Sequence, residues 1–179
     1  MKVFISGGCK NGKSYVAQSV ARTLAKEGRL YYVATMIPHD DEDLQRIKRH
    51  IAERNGWGFK TIECGTSVKN TLFGIDNQGT FLIDSTTALL ANEMFSEGGK
   101  TDFSAHMRIS EELLSFADEA SNIVVVSDYI FSDAMLYDEY TEGYRKSLAY
   151  IDRVLAEKFD TVLELCGGVV TAHKGEWPV

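Results

Sequence analysis

The 179-residue chain has three cysteines, two prolines and no long apolar run. Cys9, Cys64 and Cys166 are odd in number and far apart, which argues against a disulfide framework and against a zinc site. Neither Pro38 nor Pro178 marks a linker, so a single domain over 1–179 is expected. No stretch approaches the roughly 20 apolar residues that span a bilayer. The N-terminus reads directly as a strand with no small-residue cleavage site, so neither a signal peptide nor membrane association is expected, and the default is a reduced, cytoplasmic protein. Positive charge is also scarce: 19 Lys plus Arg face 26 Asp plus Glu, a net charge of −7. That field repels phosphate chains, so nucleic acid is not an expected partner; a small anion needs a local positive pocket.

What is present is a 44% hydrophobic, foldable composition arranged in alternating short runs. Val3–Ser6, Leu30–Thr35, Thr80–Asp84, Asn122–Ser127 and Thr161–Leu165 are apolar on both faces, as strands covered by helices are. Phe59–Cys64 is a weaker sixth, and Gly167–His173 is expected to return as an antiparallel edge strand after the Cys166-Gly167-Gly168 turn. Helical spacing occupies Lys13–Lys26, Asp40 to Arg54, Thr101–Ala120 and Tyr144–Phe159. Loops are expected at Ile37–Asp40, Gly74–Gly79, Glu97–Lys100 and Ser132–Glu142. The alternation predicts an α/β fold with a mainly parallel sheet flanked by helices.

Between the first strand and the first helix lies Gly7-Gly8-Cys9-Lys10-Asn11-Gly12-Lys13-Ser14, which fits G-x-x-x-x-G-K-[ST]. Glycines let the backbone turn its N–H groups into one anion-sized nest, and the following helix adds the positive end of its dipole. Lys13 supplies a point charge for β/γ-phosphates, and the Ser14 hydroxyl suits Mg²⁺. A chain of this composition produces about 0.01 such matches by chance, and the strand–loop–helix context fits as well. Cys9 stands where a dinucleotide fingerprint needs its second glycine, which excludes that reading. The expected fold is therefore a P-loop NTPase of the RecA-like kind, with GTP and/or ATP as substrates and Mg²⁺ as cofactor.

The second metal partner should be an acid at the end of a buried strand. Asp84 after Phe81-Leu82-Ile83 is the better candidate and Asp128 after Val124-Val125-Val126-Ser127 the other; either could instead cap the next helix. Of the four histidines, His50 stands out. Arg46, His50 and Arg54 are spaced i, i+4, i+8 and form one helical ridge beside Leu44, Ile47 and Ile51. This predicts a histidine at the border of core and solvent. Two flanking cations disfavour the protonated ring and would bind phosphate oxygens. The alternative is a solvated basic face offsetting Asp40-Asp41-Glu42-Asp43, a run that complements the helix N-terminus.

Loop and histidine helix together resemble the bifunctional adenosylcobinamide kinase/adenosylcobinamide-phosphate guanylyltransferase family. Its N-terminal G-G-x-[RK]-x-G-K-S is similar to Gly7 to Ser14, and its Y-[IV]-A-T strand to Tyr32-Val33-Ala34-Thr35. Its R-I-x-x-H-x-x-x-R is similar to Arg46-Ile47, His50 and Arg54, and its W-x-T-x-E to Phe59–Glu63. Its Walker-B-like strand followed by T-x-x-x-x-N is similar to Leu82-Ile83-Asp84 with Thr87 and Asn92; Phe95 and Gly98-Gly99 continue the likeness. After the fifth strand the family's N-E-V-G and proline are replaced by Ser127-Asp128-Tyr129-Ile130-Phe131-Ser132, with Asp128 in the place of the glutamate.

The resemblance implies a histidine that carries a guanylate, here His50. It implies nucleotide contacts at Gly7, Gly8, Cys9, Lys10, Asn11, Gly12, Lys13, Ser14, Ala34, Thr35, Met36, Ile51, Ala52, Glu53, Arg54, Glu63 and Asp84. It also implies a corrinoid acceptor and a homo-oligomer, a trimer with sites where subunits meet. Two steps are expected. Lys13, Ser14–Mg²⁺ and Asp84 first direct a γ-phosphoryl to the acceptor hydroxyl. His50 then takes GMP from GTP and passes it to the phosphorylated acceptor, with Arg46 and Arg54 stabilising phosphoryl oxygens. A P-loop small-molecule kinase without guanylyl transfer, and a non-catalytic nucleotide-binding regulator, are the alternatives.

Overall fold

Seven strands form one sheet in the computed structural model, which describes residues 1–96, 100–131 and 133–178. Glu97, Gly98, Gly99 and Ser132, used above, lie outside the described residues. The strands are β1 (Lys2–Gly7), β2 (Leu30–Ala34), β3 (Lys60–Glu63), β4 (Thr80–Asp84), β5 (Asn122–Asp128), β6 (Thr161–Cys166) and β7 (Val169–Lys174). Their order is β3-β2-β4-β5-β1-β6-β7. Every pairing is parallel except β6–β7, the expected antiparallel edge. The central strands β1, β2, β4 and β5 are buried on both faces, as their unbroken apolar runs require.

Helices cover the two faces. Helix α1 (Lys13–Ala25) packs Ala17, Val20 and Ala21 against Val3, Ile5, Leu82, Val124 and Val126 on one side. On the other, α3 (Thr86–Met94), α4 (Ala105–Glu119) and α5 (Glu139–Lys158) bury Leu89, Ile109, Leu113, Phe116, Leu148 and Leu155 against Phe4, Val33, Phe81, Ile83 and Val125. The remaining helix, α2 (Asp41–Glu53), contributes no buried residue.

Four local expectations change. Helix α3 was not foreseen, because Ser85-Thr86-Thr87 reads as a polar exit; yet Thr86, Leu89, Leu90, Glu93 and Met94 repeat at helical spacing and are buried. A 3-10 turn at Val68–Leu72 was missed as well. Helix α4 begins at Ala105 rather than Thr101, since the Asp102 carboxylate accepts from both the Ser104 amide and hydroxyl in a turn that precedes it. Helix α5 starts at Glu139, inside the predicted loop, because Asp138 caps it by accepting from the Tyr140 and Thr141 amides.

Candidate functional site

The strands β1, β4 and β5 are neighbours, so their C-terminal ends bring three sequence-distant segments together. The loop after β1 carries the glycines where geometry demands them. Gly12 sits at φ +91°, and a Cβ on Gly7 would fall 2.5 Å from the Leu165 carbonyl oxygen. Asn11 donates its side-chain amide to that same carbonyl at 2.6 Å, which fastens the loop to the end of β6. Helix α1 begins without a side-chain cap and without an acid in its first turn. By contrast α2, α3 and α5 are capped by Asp40, Ser85 and Asp138. Helix α4 shares the lack of a side-chain cap, so what sets α1 apart is the glycine loop before it, which leaves its first-turn amides able to take an anion.

Lys13 is nearly buried, and its ammonium donates to the Gly8 carbonyl at 2.6 Å and to Asp128 Oδ1 at 2.7 Å. Ser14 Oγ donates to Asp84 Oδ2 at 3.3 Å. Both strand-end acids foreseen as candidates therefore meet the loop, each through a different residue. Neither caps a helix: Ser85 caps α3, and no helix follows Asp128 until Glu139. The Ser14 and Asp84 oxygens form a hard, all-oxygen pair, the donor chemistry that Mg²⁺ takes when substrate phosphates complete its shell. Among the described residues no cluster of three or more His, Cys, Asp or Glu could hold a metal by itself. The residues present thus fit a cation bound together with a nucleotide.

Sequence reasoning missed the groups that hold these acids. The Tyr32 hydroxyl, on β2, donates to Asp84 Oδ2 at 2.8 Å. Burial, with the adjoining Asp84 charge, raises the pKa of Tyr32 and keeps it a donor. Thr87 donates to Asp128 Oδ2 at 3.5 Å and accepts from its amide at 3.1 Å. The Thr87 carbonyl accepts in turn from the Tyr144 hydroxyl at 2.8 Å. Behind β5, the Asp152 carboxyl on α5 is buried beside the Ser127 hydroxyl, which only partly offsets its desolvation. Desolvation pushes Asp152 up to about 7, helped by the negative Asp128. The Y-[IV]-A-T and T-x-x-x-x-N likenesses had named Tyr32, Thr35, Thr87 and Asn92 without giving them this role: Asn92 donates to the Thr35 and Gly65 carbonyls. Thr35 in turn locks onto Ser85, donating its hydroxyl to the Ser85 carbonyl and accepting from the Ser85 amide.

The histidine ridge differs from its expectation. His50 is on α2 as foreseen, but that helix lies outside the core: Leu44 and Ile51 are exposed, and Arg46 has no hydrogen bond or ion pair among the described residues. The guanidinium of Arg54 does not flank His50. It stacks 4.1 Å over the Tyr32 ring, and its Nε donates to Thr61 Oγ1 at 3.3 Å. Although the Arg54 amide still bonds the His50 carbonyl at the C-cap, its side chain turns inward to 8% exposure, where its cation finds an aromatic face. What His50 does meet is Glu53, whose Oε2 lies 3.3 Å from Nδ1; Nε2 has no partner among the described residues. Glu63, Ala34 and Met36 gather at the end of the β2–β3 pair, while Ile51 and Ala52 are exposed on α2. No described hydrogen bond or ion pair joins α2 to the loop residues 7–14; the path between them runs through Arg54, Tyr32 and Asp84.

Fold and loop together define a P-loop nucleotide-binding protein on a RecA-like sheet. The chain belongs to the cobinamide kinase / cobinamide phosphate guanyltransferase family, whose model matches residues 3–172. Membership makes it a transferase family protein whose relatives act on cobinamide. A comparison with curated proteins finds no match. Among solved structures the chain is similar to the flagellar accessory protein FlaH from Methanocaldococcus jannaschii, at 14% identity and TM-score 0.55, over 99% of this chain and 79% of that one. It is also similar to a KaiC-like protein from Pyrococcus horikoshii, at 15% identity and TM-score 0.52, over 98% and 79% of the two chains. A solved ATPase domain matches at 13% identity and TM-score 0.51, over 92% and 69%. At these identities the likeness establishes the fold.

Proposed function

We propose that the chain phosphorylates adenosylcobinamide with GTP or ATP and then transfers GMP from GTP to the product through His50. The observation that carries this reading is the assembly of Lys13, Ser14 and Asp84 around one phosphate-sized loop in a chain of this family. Loop amides and Lys13 would hold and orient the triphosphate, which is most of what phosphoryl transfer asks of a protein. Bound through Ser14 and Asp84, Mg²⁺ would neutralise charge on the β- and γ-phosphates. In the second reaction the free Nε2 of His50 attacks the α-phosphorus and pyrophosphate leaves; the acceptor phosphate then displaces the histidine. Glu53 on Nδ1 supports this role by fixing the ring and stabilising the positive charge it acquires on attack. Arg46 is a cation on α2 available to a phosphoryl oxygen, and Lys48 and Arg49 lie on the same helix.

The exposed Leu44 and Ile51 beside His50 favour a homo-oligomer, taken as a trimer, in which another copy closes this face. No described helix is long and apolar enough to cross a membrane, and we place the protein in the cytoplasm.

Two labels test the reading. Incubation with α-labelled GTP and Mg²⁺ should leave acid-labile, base-stable GMP on the protein and release pyrophosphate, and His50→Ala should leave none. With γ-labelled triphosphate, label should reach cobinamide in the wild type and not in Lys13→Ala. An adduct that persists in His50→Ala overturns the histidine assignment. Transfer of γ-label without any adduct leaves a kinase alone.

A further inference from the structure

Two carboxylates border the phosphate loop, and their surroundings divide their work. Asp84 Oδ2 is occupied by the Tyr32 and Ser14 hydroxyls, on the side where a cation would bind. Asp128 has different company. It lies opposite Gly7 in the β1–β5 register, and its Oδ1 holds the ammonium of the loop lysine at 2.7 Å. The Cys9 thiol approaches the same oxygen at 3.8 Å, and Thr87 clamps Oδ2 and the backbone amide. The carboxylate keeps 17% of its surface open.

The Lys13 ammonium has three N–H donors and spends two on the Gly8 carbonyl and Asp128, so contacts to both β- and γ-phosphate oxygens require it to give up at least one of these. When its ammonium turns to β- and γ-phosphate oxygens, Oδ1 loses its charged partner. It is then a free carboxylate oxygen, partly open to solvent, that can accept from a hydroxyl beside the loop. Thr87, held through its carbonyl by Tyr144, keeps the carboxylate from following the lysine. We propose that Asp128 is the catalytic base of the phosphoryl transfer, uncovered when the nucleotide recruits Lys13. Asp128 Oδ1 takes the proton of the acceptor hydroxyl while the acceptor oxygen bonds to the γ-phosphorus. The bond from that phosphorus to the β,γ-bridging oxygen breaks, and the nucleoside diphosphate leaves with the electron pair. The proton passes to water once the product departs. Asp152 and Tyr144 are the other ionisable groups packed near this carboxylate, and Asp152 adds no second free charge while it holds its own proton.

The inference rests on the kinase reading and separates from it in one experiment. Wild type and Asp128→Asn are compared for MgATP and MgGTP binding by calorimetry, and for kcat with cobinamide. The amide cannot accept the proton, so kcat should fall at least about 100-fold. Nucleotide affinity should hold or rise, because Lys13 no longer has to leave a carboxylate. Affinity that falls in step with kcat would make Asp128 a structural counter-ion and overturn the proposal, as would turnover within threefold of wild type. Should Asp128→Asn fail to fold, Asp128→Glu decides: a displaced base lowers kcat with the triphosphate KM unchanged, and a raised KM at unchanged kcat refutes it. A wild type that binds MgATP yet phosphorylates no cobinamide overturns the kinase reading, and this inference with it.

Discussion

The carboxyl of Asp152 makes the stability of this protein depend on pH in a direction opposite to ordinary acid unfolding. In the unfolded chain this carboxyl titrates near 3.8; burial in the native state lifts it to about 7. Between those values the native state binds a proton that the unfolded state has released, so stability falls as pH rises and levels off above about 7. The full difference is worth about 4 kcal/mol, of which about 2–3 kcal/mol is lost between pH 5 and pH 8. Asp152→Asn removes the titration and keeps a polar group beside the Ser127 hydroxyl. Urea unfolding of both proteins at pH 5 and pH 8 measures the effect. The variant should gain about 2–3 kcal/mol on wild type over that interval, or about 5–10 °C in Tm for a chain of this size. Glu112, also raised by burial, is common to both proteins and cancels in the difference. The lowered carboxyls Asp102, Asp133 and Asp138 are ionised throughout the interval. Parallel pH curves for the two proteins would refute the argument.

Gly7→Ala places a methyl 2.5 Å from the Leu165 carbonyl oxygen, so the loop must shift. A loss of about 1–3 kcal/mol in thermal unfolding and weakened triphosphate binding are expected, and an unchanged binding isotherm would refute the close-approach account. Lys13→Ala should cost about 3–4 kcal/mol of transition-state stabilisation in γ-phosphoryl transfer, with the circular-dichroism spectrum unchanged. Near-normal turnover would count against phosphate capture by the loop. Tyr32→Phe removes one of the two donors on Asp84 Oδ2 and should lower stability by about 1 kcal/mol. Mg²⁺ titration of nucleotide binding should show a several-fold higher half-saturation, and an unshifted midpoint would release Tyr32 from any part in holding Asp84.

The sheet was readable because its strands are buried on both faces, which leaves short β-branched runs such as Ile123-Val124-Val125-Val126 with no competing helical period. The loop was readable because phosphate capture needs backbone geometry, and only glycines at fixed spacing supply it. Helix α3 was obscured by its polar first turn, although Leu89 and Leu90 already carry the period. The acid-holding residues were harder to find. Tyr32 and Thr87 act on carboxylates 52 and 41 residues away, and no local pattern encodes such a pairing. Arg54 shows the limit of helical spacing: i+8 from Arg46 sets where its backbone lies, but the buried aromatic face of Tyr32 decides where its guanidinium goes.

The two proposed reactions therefore stand on parts of unequal firmness. The phosphate loop is set by buried strand ends, with Asn11, Thr87 and Tyr32 fixing its lysine and acids from three sides. The histidine helix buries nothing and is tied to the body near its end by Arg54, in a stack worth about 2 kcal/mol once desolvated. Covering Leu44 and Ile51 would add about 1.5–3 kcal/mol for each side chain fully buried, comparable to that stack. A surface that packs on α2 thus competes on equal terms with its present anchor. The same stack also touches the tyrosine that holds Asp84, so any displacement of Arg54 is felt at that carboxylate. On the proposed reading, phosphoryl transfer draws on the firm part of the molecule, and guanylyl transfer on a helix that another copy of the chain would hold.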